Sequence, residues 1–214
     1  MNASYCPDAI ACIIPCKPYH QAKTRLADCL SIEERIQLSR WLLRRTLRLV
    51  RRHLPCIVVV SRDLQVLKDA RQYGGLPIEE EGEELNAALM QATRLVLNRG
   101  VAGILILPTD LPFLNDEDMH ALLHPAVGTP AVVIAPCQHD TGTNALLMRP
   151  PLLIPFQFGV ASFARHVASA QAIGIQPAIV RTPGLAFDLD TPEDWVAFRE
   201  RLVSSQIPPR SQKM

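Results

Sequence analysis

The chain has 214 residues, long enough for one α/β domain with a substantial core. Apolar residues make up 48% and charged residues 20%, and the net charge is only +1, which excludes a polar disordered chain and a general polyanion-binding surface of the kind nucleic acid requires. Six cysteines without a Cys-x-x-Cys pair argue against a structural zinc site or a secreted disulfide framework. With no signal-like N-terminus and no apolar stretch of membrane-spanning length, the expectation is a cytoplasmic protein with free thiols and no membrane partner.

In chain order, strand-like runs at 9–15, 56–61, 103–108, 131–136 and 178–180 alternate with helical patterns, the signature of βαβ units and a mostly parallel sheet. Ser31 and Glu34 form a capping box that opens the first long helix, with Ile36, Leu43, Leu47 and Val50 as its core face. Arg40, Arg44, Arg48 and Arg51 form a stripe on the opposite side, read as a solvated face. Further helices are predicted over 65–73, ending at Gly74-Gly75, and over 85–97, ending at Gly100. Asn115 caps another that runs to about Leu123. Ser162, as N-cap, begins a helix over 162–173, and Pro192 sits at the first position of the last one. From Ser204 to Met214 the apolar period is lost, so a single domain over 1–203 with a disordered tail over 204–214 is expected.

Two carboxylate clusters stand where chemistry is expected. The apolar run 104–107 ends in Pro108-Thr-Asp110-Leu-Pro112, which places Asp110 at the carboxyl end of a strand, the rim where open α/β sheets bind ligands. Asp188-Leu-Asp190-Thr-Pro-Glu-Asp194 likewise follows an apolar stretch. Together they suggest a divalent-metal site, although either alone serves equally well as a cap for the next helix.

After the first strand, the loop 15–26 carries Lys17, Lys23 and Arg25, spaced for convergence on one anion, in the place where α/β nucleotide-binding proteins hold phosphates. No Walker loop, dinucleotide fingerprint or Gly-x-Ser-x-Gly elbow is present. Thr141-Gly-Thr143-Asn144 fits an anion-binding turn or a plain hairpin turn, and the helix start at Ser162, beside Gly159, favours a bound carboxylate or phosphate. His120 and His124 lack a third metal ligand and read as solvent-facing.

Taken together, Ile13-Ile-Pro-x-Lys17, Ala22-Lys23-x-Arg25-Leu26, Leu85-Asn-Ala-Ala-Leu89, Leu107-Pro-Thr-Asp-Leu-Pro112, Thr141-Gly-Thr-Asn144, Phe158-Gly-x-x-Ser-Phe-Ala-Arg-His166 and Asp188-Leu-Asp-Thr-Pro-Glu-Asp194 resemble one family. It is that of the phospholactate or phosphoenolpyruvate guanylyltransferases of coenzyme F-420 biosynthesis, and the resemblance runs from about Ile10 to about Leu202. It implies a single-domain α/β/α sandwich of the nucleotidyltransferase, glycosyltransferase-A-like, Rossmann-like kind. It also implies transfer of GMP from GTP to the phosphate of phosphoenolpyruvate, 2-phospholactate or 3-phosphoglycerate, with hand-over to a transferase that uses a deazaflavin acceptor. By the same resemblance Asp110 and Asp190 hold magnesium, and Lys17, Lys23 and Arg25 form the triphosphate loop. Ser61 and Asn86 lie where relatives contact base or ribose, and Thr143, Gly159 and Ser162 hold the three-carbon acid. One departure is Pro15-Cys-Lys17 in place of a glycine-rich loop, which shifts phosphate binding from backbone amides to side-chain charge. Two other readings fit the same residues. One is a same-fold enzyme acting on a sugar phosphate or molybdopterin-type acceptor; the other is a non-catalytic nucleotide-binding subunit.

Overall fold

The computed structural model describes residues 9–82, 84–127 and 130–206. Strands β1 (Ile10–Pro15), β2 (Cys56–Ser61), β3 (Leu76–Glu79), β4 (Gly103–Ile106), β5 (Ala131–Pro136), β6 (Thr143–Arg149) and β7 (Ala178–Ile179) form one sheet in the order β3-β2-β1-β4-β6-β5-β7. Only β6 runs against its neighbours, antiparallel to both β4 and β5, so the sheet is mostly parallel as expected.

Helices α1 (Ile32–Val50), α2 (Leu64–Gln72) and α4 (Asp116–Leu123) cover one face, and α3 (Leu85–Leu97) and α5 (Ser162–Ala172) cover the other. The pleat explains the division. Cys12, Ile14, Val59, Leu105 and Leu147 meet Leu43, Leu47, Val66 and Met119 on the first face, while Ile13, Val58, Ile104 and Met148 meet Leu89, Ala92 and Ala170 on the second. Short α6 (Pro183–Ala186) and α7 (Pro192–Gln206) close the chain, with Phe198 and Trp195 of α7 packed beside Phe187 and Phe113.

The capping box at Ser31 and Glu34 is formed, as is the one led by Asn115. Strands β3 and β6 were not expected, for different reasons. β3 carries Pro77, which a sheet tolerates here because the strand lies at the edge. β6 reads Thr-Asn-Ala-Leu-Leu-Met-Arg, with little β-branching and several good helix formers, and only pairing on both sides makes it a strand.

Two expectations are corrected. The helix α7 continues to Gln206, through the first three residues of the anticipated tail, because nothing in 204–206 breaks it; residues 207–214 lie outside the described residues. The arginine stripe of α1 is only in part a solvated face. Asp69 of α2 is 2% exposed and pairs with Arg40 and Arg44 at 3.1 Å each, so these two make an α1–α2 contact, while Arg48, over the Tyr73 ring, and Arg51 are exposed as expected. The net charge of only +1 concealed this, since the partner carboxylate comes from a different helix.

Cys12, Cys16, Cys29, Cys56 and Cys137 are in no disulfide, while Cys6 lies outside the described residues. No helix among the described residues is long and apolar enough to cross a membrane.

Candidate active site

Parallel β1, β2 and β4 all end on one rim of the sheet, where their following loops gather. Antiparallel β6 brings its first residue, Thr143, to the same rim, opposite the last residue of β5. Asp110 lies four residues past β4. The segment after α6 is tied to it by a bond from Leu189 N–H to the Asp110 carbonyl, 2.9 Å, which sets Asp190 beside Asp110 although eighty positions separate them in sequence. Asp194 is occupied otherwise: its Oδ2 accepts from the N–H groups of Asp190 and Thr191 and from the Thr191 hydroxyl, so it caps α7 and leaves Asp190 to face the rim.

Between the two aspartates sits the Lys23 ammonium, 2.8 Å from Asp190 Oδ1 and 3.6 Å from Asp110 Oδ2. Burial works against its charge, but Asp110 and Asp190 together outweigh that and raise its pKa. Burial would likewise raise Asp190, yet Lys23, with Arg25 and Lys17 behind it, holds that carboxyl below the usual range. Asp188 goes the other way: burial and the neighbouring Asp110 and Asp190 charges push it up, against a bond from Asn144. Lys23 has a left-handed backbone, φ 53°, which starts the tight turn Thr24–Leu26.

That turn divides the basic loop. Lys17 and Lys23 line a cavity of about 560 Å³ that extends past Val60 and Arg62 at the end of β2 and Glu80 beyond β3. Arg25 instead lines a second cavity, of about 650 Å³, with Thr143, Gly159 and Ser162. The three cations therefore do not line one pocket, as their spacing suggested, because the left-handed residue sends the chain around a corner. The two cavities share a wall made of Pro15, Leu85, Pro108, Asp110 and Asp190.

Ser61 is fully buried, and its Oγ accepts from the Asp63 N–H at 3.2 Å, so its neighbours Val60 and Arg62 form the cavity wall. Asn86 spends both ends of its amide on Phe158, donating to its carbonyl at 3.2 Å and accepting from its N–H at 3.0 Å, which pins the loop before Gly159. Ser162 is not the N-cap of α5; Ala161, at φ 54°, holds that place, and Ser162 is the first helical residue, 2% exposed in the cavity wall. Gly159 has φ +120°, a conformation side chains rarely adopt.

His120 and His124 are exposed as expected. Sequence reasoning missed Arg62 and Glu80, an ion pair of 3.7 Å at the first cavity, and His166, fully buried behind Thr143. The Thr-Gly-Thr-Asn and Ser-x-x-Arg-His segments carried a signal for His166, but only the fold makes them touch.

The family model described as "Guanylyl transferase CofC like" matches residues 10–198. The chain belongs to that guanylyl transferase family. Consistent with this membership, it is 40% identical over 187 residues to the phosphoenolpyruvate guanylyltransferase of Rubrobacter xylanophilus, covering 87% of this chain and 91% of the relative. The enzyme of the same name from Sphaerobacter thermophilus is 37% identical over 184 residues, covering 85% and 88%. Among solved structures, a nucleotidyl transferase from Methanothermobacter superposes with a TM-score of 0.65 at 11% identity, over 94% of this chain and 100% of the other. A 4-diphosphocytidyl-2C-methyl-D-erythritol synthase from Anaerococcus prevotii gives 0.62 at 13%, over 92% and 96%. At such identities the structural likeness establishes the nucleotidyltransferase fold, and the sequence relatives establish the family.

Proposed function

We propose that this guanylyl transferase family member moves GMP from GTP to the phosphate of a three-carbon phospho-acid, with release of pyrophosphate. Phosphoenolpyruvate is the first choice among the acids, since the relatives at 40% and 37% identity carry its name. The observation that carries the reading is the shared wall: Asp110 and Asp190 are the two charged residues lining both cavities, set where a donor nucleotide and an acceptor must meet at one phosphorus.

The order of the strands supports one order of the ligands. Three strand spacings separate β3 from β4, roughly 14 Å, enough for a nucleoside between the base end and the phosphates. At the base end, Arg62 and Glu80 set a donor and an acceptor against guanine, whose edges present O6 and N7 as acceptors and its N–H groups as donors. Lys17 and Lys23 then lie along the triphosphate, and the acid occupies the cavity of Arg25, Thr143, Gly159 and Ser162.

Asp110 and Asp190 suit a magnesium ion. Both offer hard oxygen ligands, and Asp110 Oδ1 is buried without a hydrogen-bond partner, an arrangement that otherwise costs stability. No group of three or more metal-ligating side chains is assembled among the described residues, in keeping with an ion that takes its other ligands from phosphate and water. When bound, magnesium supplies charge neutralisation and Lewis acidity at the phosphates.

The acceptor phosphate is already anionic near neutral pH, so its oxygen attacks the α-phosphorus without a general base. The protein's part is to align and neutralise: Lys17 and Lys23 offset the triphosphate charge, Arg25 offsets that of the acid, and the two aspartates keep Lys23 in place. The product, a diphosphate-linked guanosine, would pass to a transferase with a deazaflavin acceptor.

Mass analysis of the products from GTP and magnesium with phosphoenolpyruvate, 2-phospholactate or 3-phosphoglycerate tests this, with that transferase and the deazaflavin present to trap a labile product. A GMP adduct of one acid is expected. Preference for CTP over GTP, or no pyrophosphate with any of the three acids, overturns it.

A further inference from the structure

His166 stands on α5 one helical turn after Ser162 and is fully buried, yet both its ring nitrogens are engaged. Nε2 lies 3.0 Å from the backbone N–H of Gln157, and Nδ1 lies 3.0 Å from the Thr143 hydroxyl. A backbone N–H can only donate, so Nε2 must carry a lone pair. The single proton of the neutral ring is then on Nδ1 and points at Thr143 Oγ1.

This has a consequence at the cavity. The Thr143 oxygen accepts from His166, so its own hydrogen has to turn away from the ring, and the hydroxyl has no second hydrogen-bond partner among the described residues. Thr143 itself lines the second cavity. An anion in the cavity can only accept hydrogen bonds, and a hydroxyl whose proton is already directed outward meets it without reorienting. The ring itself is held. Phe158 packs edge-on against it, centroids 5.0 Å apart, and Asn86 clamps Phe158 through both of its backbone groups. Burial, with the nearby Arg165 charge, lowers the His166 pKa to about 4, which keeps the ring neutral under ordinary conditions.

We propose that His166 is a positioning residue that commits Thr143 to donate a hydrogen bond to the anionic group of the acid. The proposal rests on the placement of the acid given above and extends it to a residue that never touches substrate. It concerns affinity for the acid rather than for GTP, because no bond of His166 reaches the first cavity.

Paired variants separate this role from simple packing. Thr143→Val removes the donor and His166→Phe removes the bond that commits it, and in each the KM for phosphoenolpyruvate should rise about tenfold or more while that for GTP moves less than about twofold. His166→Asn loses the Gln157 bond as the phenylalanine variant does, but sets an amide N–H near the former Nδ1. It should recover most of the affinity, as Thr143→Ser should by keeping the hydroxyl. Equal impairment of His166→Asn and His166→Phe, or an unchanged KM for the acid in Thr143→Val, overturns the proposal.

Nitrogen NMR of the histidine rings in the wild-type protein reads the tautomer without any turnover. A proton on Nδ1 of His166 is expected, and a proton on Nε2 would overturn the idea even if every variant failed to fold. Should the wild type transfer GMP to no acid at all, the proposed function fails while the tautomer result still stands or falls by itself.

Discussion

Asp69 and Asp110 are both aspartates set against cations, and they are completed to different degrees. Asp69 has both oxygens engaged: Oδ1 meets Arg44, while Oδ2 meets Arg40 and the Tyr19 hydroxyl at 2.9 Å. It joins α1, α2 and the start of the basic loop. Asp110 has one oxygen at 3.6 Å from Lys23 and the other buried and unpartnered. A satisfied network specifies a fold, whereas an unsatisfied carboxylate on a ligand rim is a reserve for something that binds. The difference teaches where to expect loss of stability and where to expect loss of activity.

The sharpest way to break that comparison is to neutralise each carboxylate. Asp110→Asn and Asp190→Asn should each lower GMP transfer by at least about a hundredfold, the scale for removing preorganised electrostatic stabilisation of a transition state, with the melting temperature nearly unchanged in Asp110→Asn and somewhat lowered in Asp190→Asn, which takes the close partner from buried Lys23. Initial rates against magnesium concentration check this, and near-normal turnover at low magnesium would take the residue out of the mechanism. Asp188→Asn is the milder control, since that carboxyl is turned to Asn144.

Asp69→Ala should do the reverse. Leaving Arg40 and Arg44 opposite a missing partner costs on the order of 3 kcal/mol, at the low end for a broken buried pair because both arginines reach solvent. Denaturant unfolding measures it, and the folded fraction should keep most of its turnover. A stable but inactive variant would mean that Asp69 serves the site through Tyr19 and the loop, rather than the fold.

Smaller changes divide the two cavities. Lys23→Ala should chiefly raise the KM for GTP, and Ser162→Ala chiefly that for the acid, by about tenfold each where a hydrogen bond to a charged group is lost. Gly159→Val should be the worse of the acid-side variants, because φ +120° strains any side chain there. If Ser162→Ala altered only GTP dependence, the acid would not lie in the second cavity.

The smallest effect is one of pH. The unfolded chain protonates histidine near 6.5, while folded His166 resists until about 4, so the unfolded state binds more protons between these values and stability falls as pH drops through the window. Between pH 6.5 and 5.5 the loss from this residue is roughly 1 kcal/mol. It should vanish in His166→Asn, as unfolding curves at the two pH values would report.

Much of the molecule was legible without the fold. Apolar runs located β1, β2, β4 and β5 because buried parallel strands are continuously apolar, and the caps at Ser31 and Asn115 depend on neighbours in sequence. Asp110, Asp190, Lys17, Lys23 and Arg25 stood out for the same reason: residue type, strand ends and local motifs are properties of the chain. What only the tertiary structure decided was which of them meet. The left-handed turn at Lys23 sends Arg25 to the other cavity, the Leu189 bond brings Asp190 to Asp110, and Asp69 reaches across from α2 to convert part of an apparent surface stripe into a contact. β6 is a strand only because it is paired on both edges, and that pairing sets Thr143 on the rim in front of His166. Contacts between residues tens of positions apart depend on packing and on backbone direction, neither of which a local pattern of side chains encodes.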